Sequence, residues 1–180
     1  SEVRNNYPKD LEGVLNDIFP ELLLRCFLKE TLYELYIIRE FIKTDSISER
    51  LKSFLETALI ASLRIVSIAA TGWPYIAPKK IKITSFSKQG FESFKKQVLK
   101  MYSDLIAIKK LSKDALESEH HLFRGDSRKT EDLIPSDSVD HIFTSPPYLN
   151  NFDYADRTRL EMYFTGEAKN WSDITKNLRP

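Results

Sequence analysis

Apolar residues recur at Leu24, Leu28, Leu32, Leu35, Ile38 and Ile42, with polar residues between them. That spacing places them on one face of a helix. Pro20 suits the first helical position, where a missing N–H is no loss, so the helix is predicted to begin there. A second helix is predicted to open at Ser46, with Glu49 three residues on as a reciprocal capping partner. Its stripe runs through Leu51, Phe54, Leu55, Ala58, Leu59, Leu63 and Val66, and Gly72 and Pro74 supply the stop. A third helix is predicted over about Phe91 to Leu111, with Phe91, Phe94, Val98, Met101, Leu105 and Ile108 on one face. Between the last two lies "GWPYIAPKKIKITS", a loop kept extended by its prolines.

The pattern changes near residue 118. "HHLFRGD" reads as a short strand ending at Gly125-Asp126, followed by a brief helical or loop piece around Thr130 to Leu133. "SVDHIFTS" reads as a second strand, Val139 to Thr144, rich in β-branched and aromatic residues. From about Asp153 to Phe164 the pattern is helical again, closing at Gly166. Strand, link, strand, helix is the order of a parallel α/β sheet. The expected architecture is mostly α with a small α/β part: a helical block over residues 1–117, then a small α/β region over 118–180.

Composition narrows the function classes. Of 180 residues 42% are hydrophobic, enough for a packed core. Basic and acidic residues number 27 and 26, so net charge alone announces no nucleic-acid partner, and a local patch must carry that reading. Lys79, Lys80 and Lys82, with Trp73 and Tyr75 nearby, form the candidate phosphate patch, with a plain solvated loop as the alternative. Cys26 is the single cysteine, which excludes an internal disulfide and fits a reducing, cytoplasmic setting. Its place on an apolar helical face predicts a core position. The apolar stretch Ala58 to Ala70 is interrupted by Arg64 and is too short for a bilayer span, so no membrane partner is expected. His120, His121 and His141 lack partners at metal-ligand spacing, and no metal site is expected.

The candidate chemistry sits in "VDHIFTSPPYLNNFDY". Prolines cannot continue a central strand, and each holds its predecessor out of the helical region. Ser145-Pro146-Pro147 is therefore expected to be a rigid, extended exit at the carboxyl end of the strand, the edge where open α/β sheets bind ligands. A nucleobase amino group is a poor nucleophile because its lone pair is delocalised into the ring. Two acceptors, the Ser145 oxygen and the Pro146 carbonyl, would favour a pyramidal nitrogen and stabilise positive charge developing on it. Tyr148 would stack on a base taken out of the duplex. Asp153 and Tyr154 could line the base pocket or cap the next helix, and Arg157 and Arg159 could touch phosphate or be solvated.

These residues resemble the DNA amino-methyltransferases, which methylate cytosine N4 or adenine N6 with S-adenosylmethionine. Their catalytic motif, Ser, Asp or Asn followed by Pro-Pro and an aromatic after a hydrophobic strand, stands here as Ser145-Pro146-Pro147-Tyr148. "GDSR", Gly125 to Arg128, is similar to the strand-end motif whose acidic residue, here Asp126, contacts the cofactor's adenosine. The resemblance covers about residues 122 to 166. It implies a Rossmann-like sheet and a DNA partner, and its serine form favours cytosine N4 over adenine N6.

The family's Gly-rich cofactor loop is missing. The five glycines are Gly13, Gly72, Gly90, Gly125 and Gly166, no two within ten residues of each other. The sheet too would be incomplete, with two strands. The chain is thus expected to be a fragment, as its first residue Ser1 also suggests, or one subunit of a split enzyme. The loop would then lie upstream, downstream or in a second chain. Unpaired sheet edges imply pairing with that chain or with another copy in a homo-oligomer. Two other functions stay open: a non-catalytic helical interaction or specificity subunit with a vestigial motif, and an amino-methyltransferase of RNA or protein.

Overall fold

The computed structural model describes residues 7–44, 46–70, 77–81, 89–112, 114, 118–123, 129–130, 133–144 and 154–178. Its elements are α1 (Leu11–Ile18), α2 (Glu21–Cys26), α3 (Lys29–Ile42), α4 (Glu49–Val66), β1 (Ala69–Ala70), β2 (Ala77–Ile81), α5 (Gly90–Leu111), α6 (Tyr154–Thr165) and α7 (Trp171–Leu178). The expected mostly helical character holds. The chain divides into two compact units, Ser1–Asp104 with Asp153–Pro180, and Leu105–Phe152.

In the first unit the stripe read as one helix is two. Phe27 and Leu28 are extended, with ψ of 155° and 144°, which separates α2 from α3, and Pro20 caps α2 from outside its first turn. The break has a physical reason. The Cys26 carbonyl at the end of α2 accepts from Ile68 N–H at 2.8 Å and from the Ser67 hydroxyl at 3.0 Å. The chain leaving α4 therefore satisfies a carbonyl that a continuous helix would have used itself. This hook also ends α4 at Val66, ahead of the expected stop at Gly72 and Pro74. Ser46 does not cap α4. Its hydroxyl meets that of Thr44 at 2.8 Å, while Ser48 is the cap residue and Glu49 pairs with Lys52.

The core of this unit joins Leu15, Phe19, Leu23, Leu32, Leu35, Leu63, Leu160, Phe164 and Ile174, all at most 4% exposed. Each such burial contributes about 1.5–3 kcal/mol. Phe19 and Phe164 stack with centroids 5.7 Å apart. Cys26 is buried here, as its apolar face predicts. α6 packs on α2 and α4. The helix read as the end of the α/β region contributes Leu160 and Phe164 to this core. β1, ahead of the expected helix stop at Gly72, pairs antiparallel with β2, which lies in the stretch read as a loop.

The described residues of the second unit, Leu105–Phe152, are the last turns of α5 followed by turns and irregular chain. Leu133 and Ile134 N–H both donate to the Thr130 carbonyl at 2.9 Å, forming a turn. Asp137 adopts φ of 58°, a left-handed conformation that aspartate tolerates better than most residues. Residues 118–123 and 139–144 are irregular, so the strands expected over "HHLFRGD" and Val139 to Thr144 are not formed by their described residues. The apolar side chains stand out from the backbone: Leu122, Ile142 and Phe143 are at least 84% exposed. A β-prone run becomes a strand only where a neighbour takes its backbone groups and a packed layer covers its apolar face. Among the described residues, neither is supplied.

Candidate functional site

The motif Ser145-Pro146-Pro147-Tyr148, the cofactor candidate Asp126 and Lys82 lie outside the described residues. So do Asp153, Trp73 and Tyr75. Lys79 and Lys80 belong to β2. What the structure places is the surroundings of the motif on each side in sequence.

On the amino-terminal side, residues 139–144 lead into the motif as exposed irregular chain, with Ser138 Oγ donating to the Pro135 carbonyl at 2.7 Å. His141 lies in this run. His120 approaches the Ser118 hydroxyl at 3.1 Å and His121 approaches Glu119 at 3.2 Å. Among the described residues no group of three or more His, Cys, Asp or Glu could hold a metal ion.

On the carboxyl-terminal side α6 begins at Tyr154, six residues after Tyr148. It is held to α4 by a forked ion pair. Arg64 Nε donates to Glu161 Oε1 at 2.6 Å and Nη2 to Glu161 Oε2 at 3.0 Å, while Nη2 also reaches the Arg157 carbonyl. Two parallel N–H···O bonds fix both distance and angle between the helices. Asp156, 9% exposed, pairs with Arg159 at 3.1 Å, and the Arg159 guanidinium lies 5.4 Å from the Trp171 ring centroid. Arg159, weighed above as a phosphate contact, is thus engaged within the fold. Burial pushes the Cys26 thiol up to about 11, against the opposing charges of Arg159 and Arg25. Burial likewise raises the Tyr163 phenol.

A second arginine closes the far end of α6. Arg39 donates to the Phe164 carbonyl and to Glu40, and its guanidinium lies 5.1–5.5 Å from the ring centroids of Phe19, Tyr36 and Phe164. A cation at a helix C-terminus satisfies an orphan carbonyl and complements the helix dipole. Beside it a groove of about 550 Å³ opens between Asp17, Arg39, Lys43, Thr165 and Lys169. Neither Arg39 nor the Arg64–Glu161 fork was identified from sequence. Arg64 did leave a signal, as the one charge interrupting the apolar run Ala58 to Ala70.

The described glycines bear on the cofactor. A side chain at Gly13 would strike the Asp10 carboxylate, and one at Gly90 would meet Glu34 and the Thr31 carbonyl. Gly166, at φ of 86°, ends α6 with open space around it. Two serve packing and one a helix stop, so none forms a cradle for a cofactor. Among known protein families, curated proteins and solved structures, the chain matches none. No helix among the described residues is long and apolar enough to cross a membrane.

Proposed function

We propose that this chain is the catalytic-motif portion of an amino-methyltransferase of DNA, transferring the methyl of S-adenosylmethionine to an exocyclic amino group, with cytosine N4 favoured over adenine N6. The reading rests on Ser145-Pro146-Pro147-Tyr148 at the end of the apolar run Val139 to Thr144, with Gly125-Asp126 upstream. An incomplete Rossmann-like sheet is part of the same proposal, with its remaining strands supplied by further chain or by a partner.

The residues present do not fit the whole cofactor. Asp126 offers a carboxylate for its adenosine, and no described glycine lines a site for its methionine half. The chain's own contribution is to hold the acceptor base. The Ser145 oxygen and Pro146 carbonyl accept the two amino hydrogens, and Tyr148 stacks on the flipped ring. Ser145 acts only as an acceptor, because a serine hydroxyl does not ionise near neutral pH.

The test is DNA methylation by the chain together with the protein encoded beside it. Ser145→Ala or Tyr148→Ala is expected to lower turnover about a hundredfold, the scale of losing one preorganised polar contact, with cofactor affinity unchanged. Unchanged turnover in both would remove the catalytic role. It would leave the second reading, a specificity or assembly subunit with a vestigial motif, which the packing roles of the described glycines favour.

A further inference from the structure

We infer that the exposed half of α5 is a self-association surface, which docks in parallel on the same helix of other copies of this chain. The inference is independent of the function proposed above. Phe91, Phe94, Val98, Met101, Leu105 and Ile108 recur at alternating steps of three and four, so they fill the a and d positions of consecutive heptads. Phe91 and Phe94 commit the first part of this stripe to the helical core. The remainder has no such cover. Leu105 is 37% and Ile108 41% exposed, and every residue from Tyr102 to Leu111 is exposed.

The residues flanking the stripe select its occupant. Asp104 stands at g, and Lys109, in the next heptad, stands at e. In a parallel pair of helices a g side chain meets the e side chain of the partner's following heptad. Asp104 of one copy therefore meets Lys109 of the other, and the contact is repeated by symmetry. An antiparallel pair overlapping from Val98 to Ile108 instead sets Asp104 against its own counterpart, a repulsive contact. The surface is thus complementary to itself, in one orientation, as a symmetric contact between identical chains requires.

The side chains of the stripe also bear on the number of copies. Leu105 at a with Ile108 at d favours three or four helices over two. Tyr102 at e and Leu111 at g widen the apolar surface on its two sides, and Leu99 and Ile106 border Tyr102. A two-helix seam would leave most of these in water, whereas a larger bundle covers more of them. An anionic lipid surface or a nucleic acid is a poorer match, because Asp104 borders the apolar surface where a phosphate would approach.

The test is sedimentation equilibrium of the chain over a concentration series, with charges exchanged at the two flanking positions. The contact is small, so association is expected to be weak and to grow with concentration. Asp104→Lys and Lys109→Asp each turn the attractive contacts into repulsive ones, and each is expected to raise the midpoint concentration about tenfold. The two exchanges together restore opposite charges and are expected to return it to within about threefold of the unmodified value. Leu105→Glu, which puts a charge into the stripe, is expected to leave only monomer. A chain that stays monomeric throughout would overturn the inference, as would a double exchange no better than the single ones. A polyanion responds to net charge and not to pairing. Tighter binding of Asp104→Lys and weaker binding of Lys109→Asp to anionic phospholipid vesicles, by a monomeric chain, would therefore assign the surface to a membrane and overturn it as well.

Discussion

Phe164 and Phe143 are the same side chain in opposite circumstances. Phe164 ends α6 at 1% exposure, stacked on Phe19 with Arg39 over its ring. Phe143 stands fully exposed two residues before the Pro-Pro motif. Hydrophobicity does not separate them; the availability of partners does. The helical unit supplies its own cover from α1, α2, α3, α4, α6 and α7. Residues 105–152 carry equally apolar side chains whose cover, on the function proposed, comes from elsewhere.

The largest expected effect tests this contrast directly. Phe164→Ala should cost about 3–5 kcal/mol of unfolding free energy, as for other fully buried aromatics, read from the urea midpoint. Phe143→Ala should stay within about 0.5 kcal/mol, as exposed sites do. A comparable loss at Phe143 would show that the 105–152 unit is packed in solution and would erase the distinction.

A middle-sized effect is expected at the joint between α4 and α6. Arg64→Ala leaves the Glu161 carboxylate, only 19% exposed, without its fork, and should cost about 1–3 kcal/mol. Arg64→Ala combined with Glu161→Ala should recover part of that loss, because the stranded charge is gone. If single and double variants are equally stable, the fork does not hold the helix.

The last effect is a pH dependence. The Cys26 thiol has its ordinary value near 9.0 when unfolded and about 11 when folded, chiefly because burial disfavours the thiolate. A raised acid contributes its full stability below pH 9 and loses it as pH rises toward 11. The unmodified chain should therefore lose more stability across that window than Cys26→Ala, whose other titrating groups are the same. Parallel curves would place Cys26 in a wetter environment than the core of the helical unit.

Local rules made some of this legible in the sequence. The stripe Phe91 to Leu111 is matched by α5 at Gly90–Leu111, and Asp153 to Phe164 by α6 at Tyr154–Thr165, since helical spacing is a property of neighbouring residues. The break at Phe27 and Leu28 was hidden because the apolar phase runs through it and its cause, Ser67 and Ile68, lies 41 residues away in the case of the Ser67 bond to Cys26. α7 was also unread, although Asn170 and Asp173 cap it reciprocally, Asp173 N–H donating to Asn170 Oδ1 at 3.1 Å and Asp173 Oδ2 accepting from Asn170 N–H at 3.2 Å. The run Val139 to Thr144 gives a β propensity, but propensity does not say who the neighbouring strand is. The Pro-Pro motif is legible as chemistry because proline restricts the backbone by itself. The Arg39–Phe164 contact, 125 residues apart, leaves no such local trace, and Arg64 shows only as a charge in an apolar run, with nothing local to name Glu161, 97 residues on, as its partner.

Those same long-range contacts make synthesis an ordered event. The helical unit is discontinuous in sequence, so about 50 residues must leave the ribosome after Asp104 before α6 can begin to close over α2 and α4, with α7 following it. At about 5–20 residues per second that is a delay of roughly 3–10 s, during which Leu23, Leu63 and Phe19 wait uncovered. A nascent chain halted within this interval should be captured by chaperones and cut by protease, and one released beyond Leu178 should resist both.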